Sequence, residues 1–255
     1  MGKKRIIRIS KSAAVYVPVA LLLVVMLILL GTSVFLKIMD IEVTGSTKYT
    51  AQEIIEKSGI KTGDNMLRLD TEAAAVRIRS ALPYVQDVSI ETNLPDRVRI
   101  NITESKALAT VSSSSGVMLI NSKARILEHR DKAPAGLIEI RGFTAAHSAA
   151  GNTLRSDPVD DTKLRHLIEI LSAVEECKIG GSILYLDISN FGRISIGYEE
   201  RYTVILGGSS DVLYKLSNLP DAVSKIEADP NYDSASRYRI DITDPSKGWI
   251  CTAEW

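Results

Sequence analysis

The chain has 255 residues, 31 Lys+Arg balanced by 31 Asp+Glu, 45% hydrophobic and 5% aromatic content, and two cysteines. Five of the basic residues lie in the first 11 positions, so the rest of the chain is mildly acidic, which argues against a nucleic-acid-binding face, since that should be basic. Two cysteines with no C-x-x-C are too few for a disulfide framework.

Residues 1–11 carry Lys3, Lys4, Arg5, Arg8 and Lys11, and from Ser12 to Leu36 no residue is charged. At about 1.5 Å per residue, this stretch of about 25 residues is long enough to cross a hydrocarbon core of roughly 30 Å. Basic residues on its N-terminal side favour a cytoplasmic N-terminus, which puts everything after Leu36 outside the cytoplasm. Gly31 and Ser33 could serve as small residues before a signal-peptide cut. The apolar run exceeds the usual core of such peptides, about 7–15 residues, so a retained anchor over residues 12–36 is expected. Without the tail's basic residues the outer part has about 26 Lys+Arg against 31 Asp+Glu. That mildly acidic balance argues against a polybasic grip on anionic lipid.

Residues 38–105 read as a small β-α-α-β-β unit. Ile41 and Val43 alternate with polar residues before Gly45. Thr50-Ala51-Gln52-Glu53 is a capping box, Ile54 and Ile55 supply a buried helix side, and Gly59 stops the helix. Asp70-Thr71-Glu72 opens a second helix with Ala74, Ile78 and Ala81 at helical spacing, closed by Pro83. A hairpin follows, with Val88, Ile90 and Thr92 in one strand and Val98, Ile100 and Ile102 in the other. Asn93-Leu94-Pro95-Asp96 supplies the turn between them.

Residues 106–255 read as a larger mixed α/β unit dominated by antiparallel strands. Strands are expected near Ala107–Val111, Val117–Asn121, Ile126–Glu128, Leu137–Arg141, Ile183–Asp187, Arg193–Ile196, Tyr202–Leu206, Tyr238–Ile242 and Trp249–Ala253. The stretch from Phe143 to Pro158 lacks periodicity and reads as a surface loop. Leu164, Leu167, Ile168, Leu171 and Val174 form one helical stripe, and Val212, Leu216, Leu219, Val223 and Ile226 another. Pro220 lies inside the second, so a kink or break is expected near Leu219. Cys177 and Cys251 read as buried thiols packed as small hydrophobes, with a single disulfide as the alternative outside the cytoplasm.

Motifs of catalysis are present only in fragments. Ser58-Gly59-Ile60-Lys61 and Lys61-Thr62-Gly63 match patterns of penicillin-binding enzymes, but they share one lysine and cannot build one site. His129, His147 and His166 lack metal-ligand spacing. Gly207-Gly208-Ser209-Ser210 lacks the lysine of a phosphate loop and reads as a tight turn. No catalytic residue, cofactor or metal site is expected.

The first unit resembles a POTRA domain. The residues that carry this are Ile41-Glu42-Val43-Thr44-Gly45-Ser46, Gly59 to Met66, Leu82-Pro83-Tyr84-Val85, and Asn93 to Val98 ending in Glu104-Ser105. A basic tail, one anchor and one such domain directly after it resemble the FtsQ/DivIB family of bacterial cell-division proteins. Val204-Ile205-Leu206-Gly207, Asp211 to Leu216 and Ile240-Asp241-Ile242 are similar to that family's β domain. The resemblance implies a non-enzymatic, single-pass scaffold of the plasma (inner) membrane at the division septum. It also implies partners among small coiled-coil division proteins of the FtsL and FtsB/DivIC type and other divisome components. The last strands would offer an edge to one of them, which marks Tyr238, Ile240, Ile242, Trp249, Ile250, Cys251 and Ala253 as partner-binding candidates. Between these strands the chain departs from the family pattern with a longer turn, Thr243 to Gly248. The alternatives are an extracytoplasmic cell-envelope enzyme and another POTRA-type assembly factor.

Overall fold

A computed structural model describes residues 16–27, 36–113, 116–244 and 248–254. Residues 16–27 form a helix, α1, whose side chains are all exposed. The basic tail and the rest of the expected span, residues 12–15 and 28–35, lie outside the described residues. Among the described residues no helix is long and apolar enough to cross a membrane. By its internal contacts the chain divides into two units, Met1–Ile78 with Asp87–Thr103, and Arg79–Gln86 with Glu104–Trp255.

The first unit contains β1 (Asp40–Thr44), α2 (Ala51–Ser58), a 3-10 turn (Met66–Arg68), α3 (Thr71–Ala81), β2 (Val85–Asn93) and β3 (Arg97–Glu104). Its sheet has the order β1-β3-β2, with β1 parallel to β3. The capping box forms: Glu53 N–H donates to Thr50 Oγ1 at 3.3 Å and Thr50 N–H to Glu53 Oε2 at 2.8 Å. Together they satisfy two amides that an open helix end would leave unpaired. The Thr50 N–H, and then the Thr50 hydroxyl donating to Glu53 Oε2 at 2.8 Å, hold the Glu53 carboxyl below its usual range. Gly59 ends the helix in the left-handed conformation at φ 72°, where a side chain would be strained. Ile54, Ala74, Ile78, Val98, Ile100 and Ile102 make the core. Ile55, expected beside Ile54, is only half-buried.

The second unit holds a nine-stranded sheet. Its strands are β4 (Ala109–Ser113), β5 (Gly116–Ile120), β6 (Ile126–Arg130), β7 (Ile138–Arg141), β8 (Ile183–Asp187), β9 (Ile194–Tyr198), β10 (Tyr202–Gly207), β11 (Arg237–Asp241) and β12 (Ile250–Glu254). They lie in the order β12-β11-β10-β9-β8-β7-β4-β5-β6. The β4/β7, β7/β8 and β10/β11 pairs are parallel and the others antiparallel. Paired residues share a face of the sheet. Val111, Ile140, Leu186, Ile196, Val204 and Ile240 therefore form one row across it, and all six are buried. Three helices, α4 (Asp161–Cys177), α5 (Val212–Ser217) and α6 (Leu219–Glu227), add Leu167, Leu171, Val174, Leu216, Leu219 and Val223 to the same core.

The expected break at Pro220 is present. Helix α5 stops at Ser217 and α6 starts at Leu219, so Pro220 occupies a first turn, where a missing N–H costs nothing. The Phe143–Pro158 stretch departs from expectation, because Phe143 and Leu154 are buried in the core. Here the backbone is held by separate bonds, not by a periodic element. Leu154 N–H donates to Ala124 C=O at 2.8 Å and Ile126 N–H to Asn152 C=O at 2.9 Å. The cysteines also depart from expectation. Both are free; Cys177 is half-buried and Cys251 exposed, because the strand that carries Cys251 is at the edge of the sheet.

Candidate functional site

Among the described residues, β12 pairs with β11 on one side and with no strand on the other. Its backbone parity can be worked out. Tyr238 N–H donates to Arg201 C=O and Ile242 N–H to Ile205 C=O, so these residues turn their backbone toward β10. A residue's N–H and C=O point to the same side of a strand, and successive residues alternate. Arg237, Arg239 and Asp241 therefore face β12, where their partners are Glu254, Thr252 and Ile250. The N–H and C=O groups of Cys251 and Ala253 point to the free side.

The side chains alternate as well. Cys251 pairs with Ile240 and Ala253 with Tyr238, so both extend the core-facing rows beyond the covered part of the sheet. Ile250 and Thr252 share the outer face with Asp241 and Arg239. Beside Cys251 opens a groove of about 370 Å³, floored by Ile240 and Trp249 and walled by Tyr214, Asn218, Asp221, Ala222, Lys225 and Ile226. A second groove of about 230 Å³ continues along Ile226 and Cys251 to Asp229, Asn231, Tyr232 and Tyr238. Both lie between α5/α6 and the edge strand.

A polar latch holds the α6 wall in place. Glu227 Oε1 accepts from Tyr202 Oη at 2.9 Å and pairs with Arg201 Nη2 at 2.9 Å, while Tyr232 Oη lies 3.1 Å from Tyr202 Oη. Burial, then the hydrogen bonds with Tyr232 and Glu227, push the Tyr202 phenol far above its usual range, so it stays a neutral donor. Tyr238 Oη accepts from Asp233 N–H at 2.8 Å and fixes the loop after α6. At the entrance to β12, hydrogen bonds from the Thr243 side chain and backbone hold the Asp241 carboxyl below the usual carboxylate range. Desolvation raises the Cys251 thiol, which disfavours the nucleophilic thiolate.

The seven residues marked from sequence fall into two groups. Tyr238, Ile240 and Ile242 are buried side chains that support the edge from within. Trp249 is half-buried against the core, while Ile250, Cys251 and Ala253 are exposed on the edge strand. Sequence reasoning missed the opposite wall, Asn218, Asp221, Ala222 and Lys225. Asn218 caps the break between α5 and α6, and Asp221, Ala222 and Lys225 lie between the stripe residues of α6, so no apolar periodicity marked them.

The fragments of catalytic motifs have local partners. Ser58 Oγ donates to Ile55 C=O at 2.6 Å and accepts from Ile60 N–H at 3.0 Å, which is helix-end chemistry. The structure does bring together groups that are distant in sequence. His129 and His147 lie 6.3 Å apart between ring centres. His166 Nδ1 lies 2.6 Å from Ser209 Oγ and 3.8 Å from Glu169 Oε2. Both contacts use one ring nitrogen, so the imidazole cannot relay a proton from serine to acid in the manner of a triad. Among the described residues no three His, Cys, Asp or Glu side chains cluster as metal ligands.

Comparison with known proteins places residues 36–105 in the family model described as "POTRA domain, FtsQ-type". The chain is 27% identical over 175 residues to the cell division protein FtsQ of Corynebacterium glutamicum, covering 67% of this chain and 78% of that protein. It is 25% identical over 226 residues to the cell division protein DivIB of Clostridium botulinum strain Hall, covering 88% and 86%. Against DivIB of Clostridium acetobutylicum the identity is 25% over 190 residues, 74% of each chain.

Proposed function

Since the chain belongs to the FtsQ/DivIB family of bacterial cell-division proteins, we propose that it is a non-enzymatic scaffold, anchored in the plasma membrane at the septum. It holds a small coiled-coil division protein of the FtsL or FtsB/DivIC type by accepting a partner strand at β12. One observation carries this reading: Cys251 and Ala253 point their backbone groups outward, unpaired among the described residues, from an edge strand whose core-facing side opens into a groove. An added strand satisfies those groups. Its residues opposite Cys251 and Ala253 face the same side and fill the groove, so an acceptable partner strand is apolar at alternate positions. Asp221, Lys225 and Asp229 along the wall favour polar or charged neighbours at the rim.

The anchor reading rests on residues 12–36 and on α1. Leu21, Leu22, Val24, Val25 and Leu27 are exposed on a helix that is apolar on every side. Such a helix needs either a protein core or a bilayer around it. The basic residues before Ser12 set its direction, so everything after Leu36 lies outside the cytoplasm.

A pull-down with the full chain as bait tests the assignment. Recovery of two small single-span coiled-coil proteins is the expected result, and deletion of Ile250–Trp255 abolishes it while the first unit stays folded. Full capture by a folded deletion variant rejects the edge-strand reading. A reporter that is active only outside the cytoplasm, fused after Trp255, tests the topology; release of the chain from membranes by alkaline carbonate rejects the anchor.

A further inference from the structure

We infer that one end of the POTRA unit rests in the lipid interface, with Met39, Leu67 and Leu94 as its contacts. The inference builds on the anchor over residues 12–36 proposed above. Outside α1, the first unit exposes four large apolar side chains among the described residues: Met39 (69%), Leu67 (65%), Leu94 (68%) and Val76. Three of the four are tied by backbone bonds to the residues that follow the anchor.

Met66 N–H donates to Leu36 C=O at 2.9 Å, Ile38 N–H to Asp64 C=O at 2.9 Å, and Gly63 N–H to Ile38 C=O at 2.7 Å. Leu67 is thereby held within about 10 Å of Leu36, the last apolar residue of the anchor segment. Asn65 Oδ1 also accepts from Leu67 N–H at 2.9 Å, which fixes the turn that presents Leu67. Met39 is three residues from Leu36, at most about 11 Å along the chain. Asp96 C=O accepts from Met39 N–H at 2.8 Å, which brings the β2–β3 turn and Leu94 to the same end.

The polar headgroup layer on each side of a bilayer is roughly 5–8 Å thick. Side chains this close to the anchor's exit reach that layer, and exposed apolar groups gain by entering its inner part. Lys37 and Arg68, both exposed, flank the patch and can lay their stems along it with their charges at the headgroups. The outer part is mildly acidic, so the contact is apolar and not an electrostatic attraction to anionic lipid.

Fluorescence quenching in phosphatidylcholine vesicles tests this with the full chain carrying Cys177→Ser and Cys251→Ser. A small fluorophore is attached to single cysteines in Met39→Cys, Leu67→Cys, Leu94→Cys and Thr103→Cys variants. All four sites are exposed, so the substitutions leave the core intact. Thr103 lies six residues along β3 from Arg97, about 20 Å away at about 3.3 Å per residue, and is the control. Labels at 39, 67 and 94 should be quenched at least threefold more than the label at 103 by lipids brominated on the acyl chain. They should also be shielded from aqueous iodide, with no change in high salt. A label in a Leu27→Cys variant reports the anchor separately. If it is lipid-quenched while 39, 67 and 94 behave like 103, the anchor stands and the interfacial contact is refuted. If 27 is itself open to iodide, the anchor falls and the inference falls with it.

Discussion

At one edge of the nine-stranded sheet, β6 ends in Glu128, His129 and Arg130, and its start is covered. Ile126 donates to Asn152 C=O and accepts from Gly151 N–H, so the 151–154 segment closes that edge. At the other edge, β12 carries no charge from Ile250 to Ala253 and ends in Glu254, and no segment among the described residues pairs with its outer side. Charge and a covering loop are the usual means of blunting an edge. Among the described residues a covering segment is present at β6 and absent at β12, whose one charge sits at its last residue, which teaches that the free edge is a local feature of β12 and does not follow from the fold as a whole.

The largest expected effect removes the protection of β6. Leu154 is fully buried and anchors the covering segment, so Leu154→Ala should cost about 2–5 kcal/mol in chemical denaturation. Exposure of the β6 edge should add aggregation on heating; unchanged stability would show that the segment does not cover that edge. Next comes proline at β12. Cys251→Pro removes an outward N–H and should weaken partner binding at least about 30-fold, with stability changed by less than about 0.5 kcal/mol. Thr252→Pro removes an inward N–H and should also lower the melting temperature. Equal stability losses for both would reverse the parity worked out for this strand.

Smaller effects concern the groove wall. Tyr202→Phe deletes the hydrogen bonds of the phenol to Glu227 and Tyr232 but leaves the Arg201–Glu227 pair, so it should cost about 1–2 kcal/mol. Partner affinity should fall only modestly; a loss as large as that of Cys251→Pro would move the binding energy from the edge to the latch. The smallest effect is in pH. The Asp241 carboxyl lies below its unfolded value of about 3.9, so its contribution is present above that pH and is lost as the pH falls through the lower folded value. Melting of the full chain should therefore show no Asp241-linked change from about pH 5 to 8. Asp241→Asn should lower the melting temperature by a constant amount from about pH 5 to 8, and the difference from the unsubstituted chain should shrink as the pH falls below about 4.

Much of this comparison was legible in the sequence. The uncharged run Trp249–Ala253 pointed to β12, the Thr50–Glu53 capping box placed α2, and Pro220 marked the break after α5. Other parts were not legible for physical reasons. Alternation shows that Tyr238, Ile240 and Ile242 share a face, but not whether that face is core or surface; β10 and the helices decide it. Which amides of β12 point outward depends on the β10–β11 pairing, a contact between segments far apart in sequence. Phe143 and Leu154 sit in a stretch held by isolated bonds, so their burial left no periodic trace. Asn218, Asp221, Ala222 and Lys225 form a wall only because α6 packs beside an edge, which no local pattern encodes.

Residue-level amide hydrogen exchange on the full chain, with and without an FtsB/DivIC-type partner, tests the central claim most directly. The expected result is at least about tenfold slower exchange at Cys251 and Ala253 on binding, with Leu127 to Arg130 of β6 unchanged. Protection confined to the α5–α6 wall, with Cys251 and Ala253 exchanging as in the free protein, would contradict strand addition at β12.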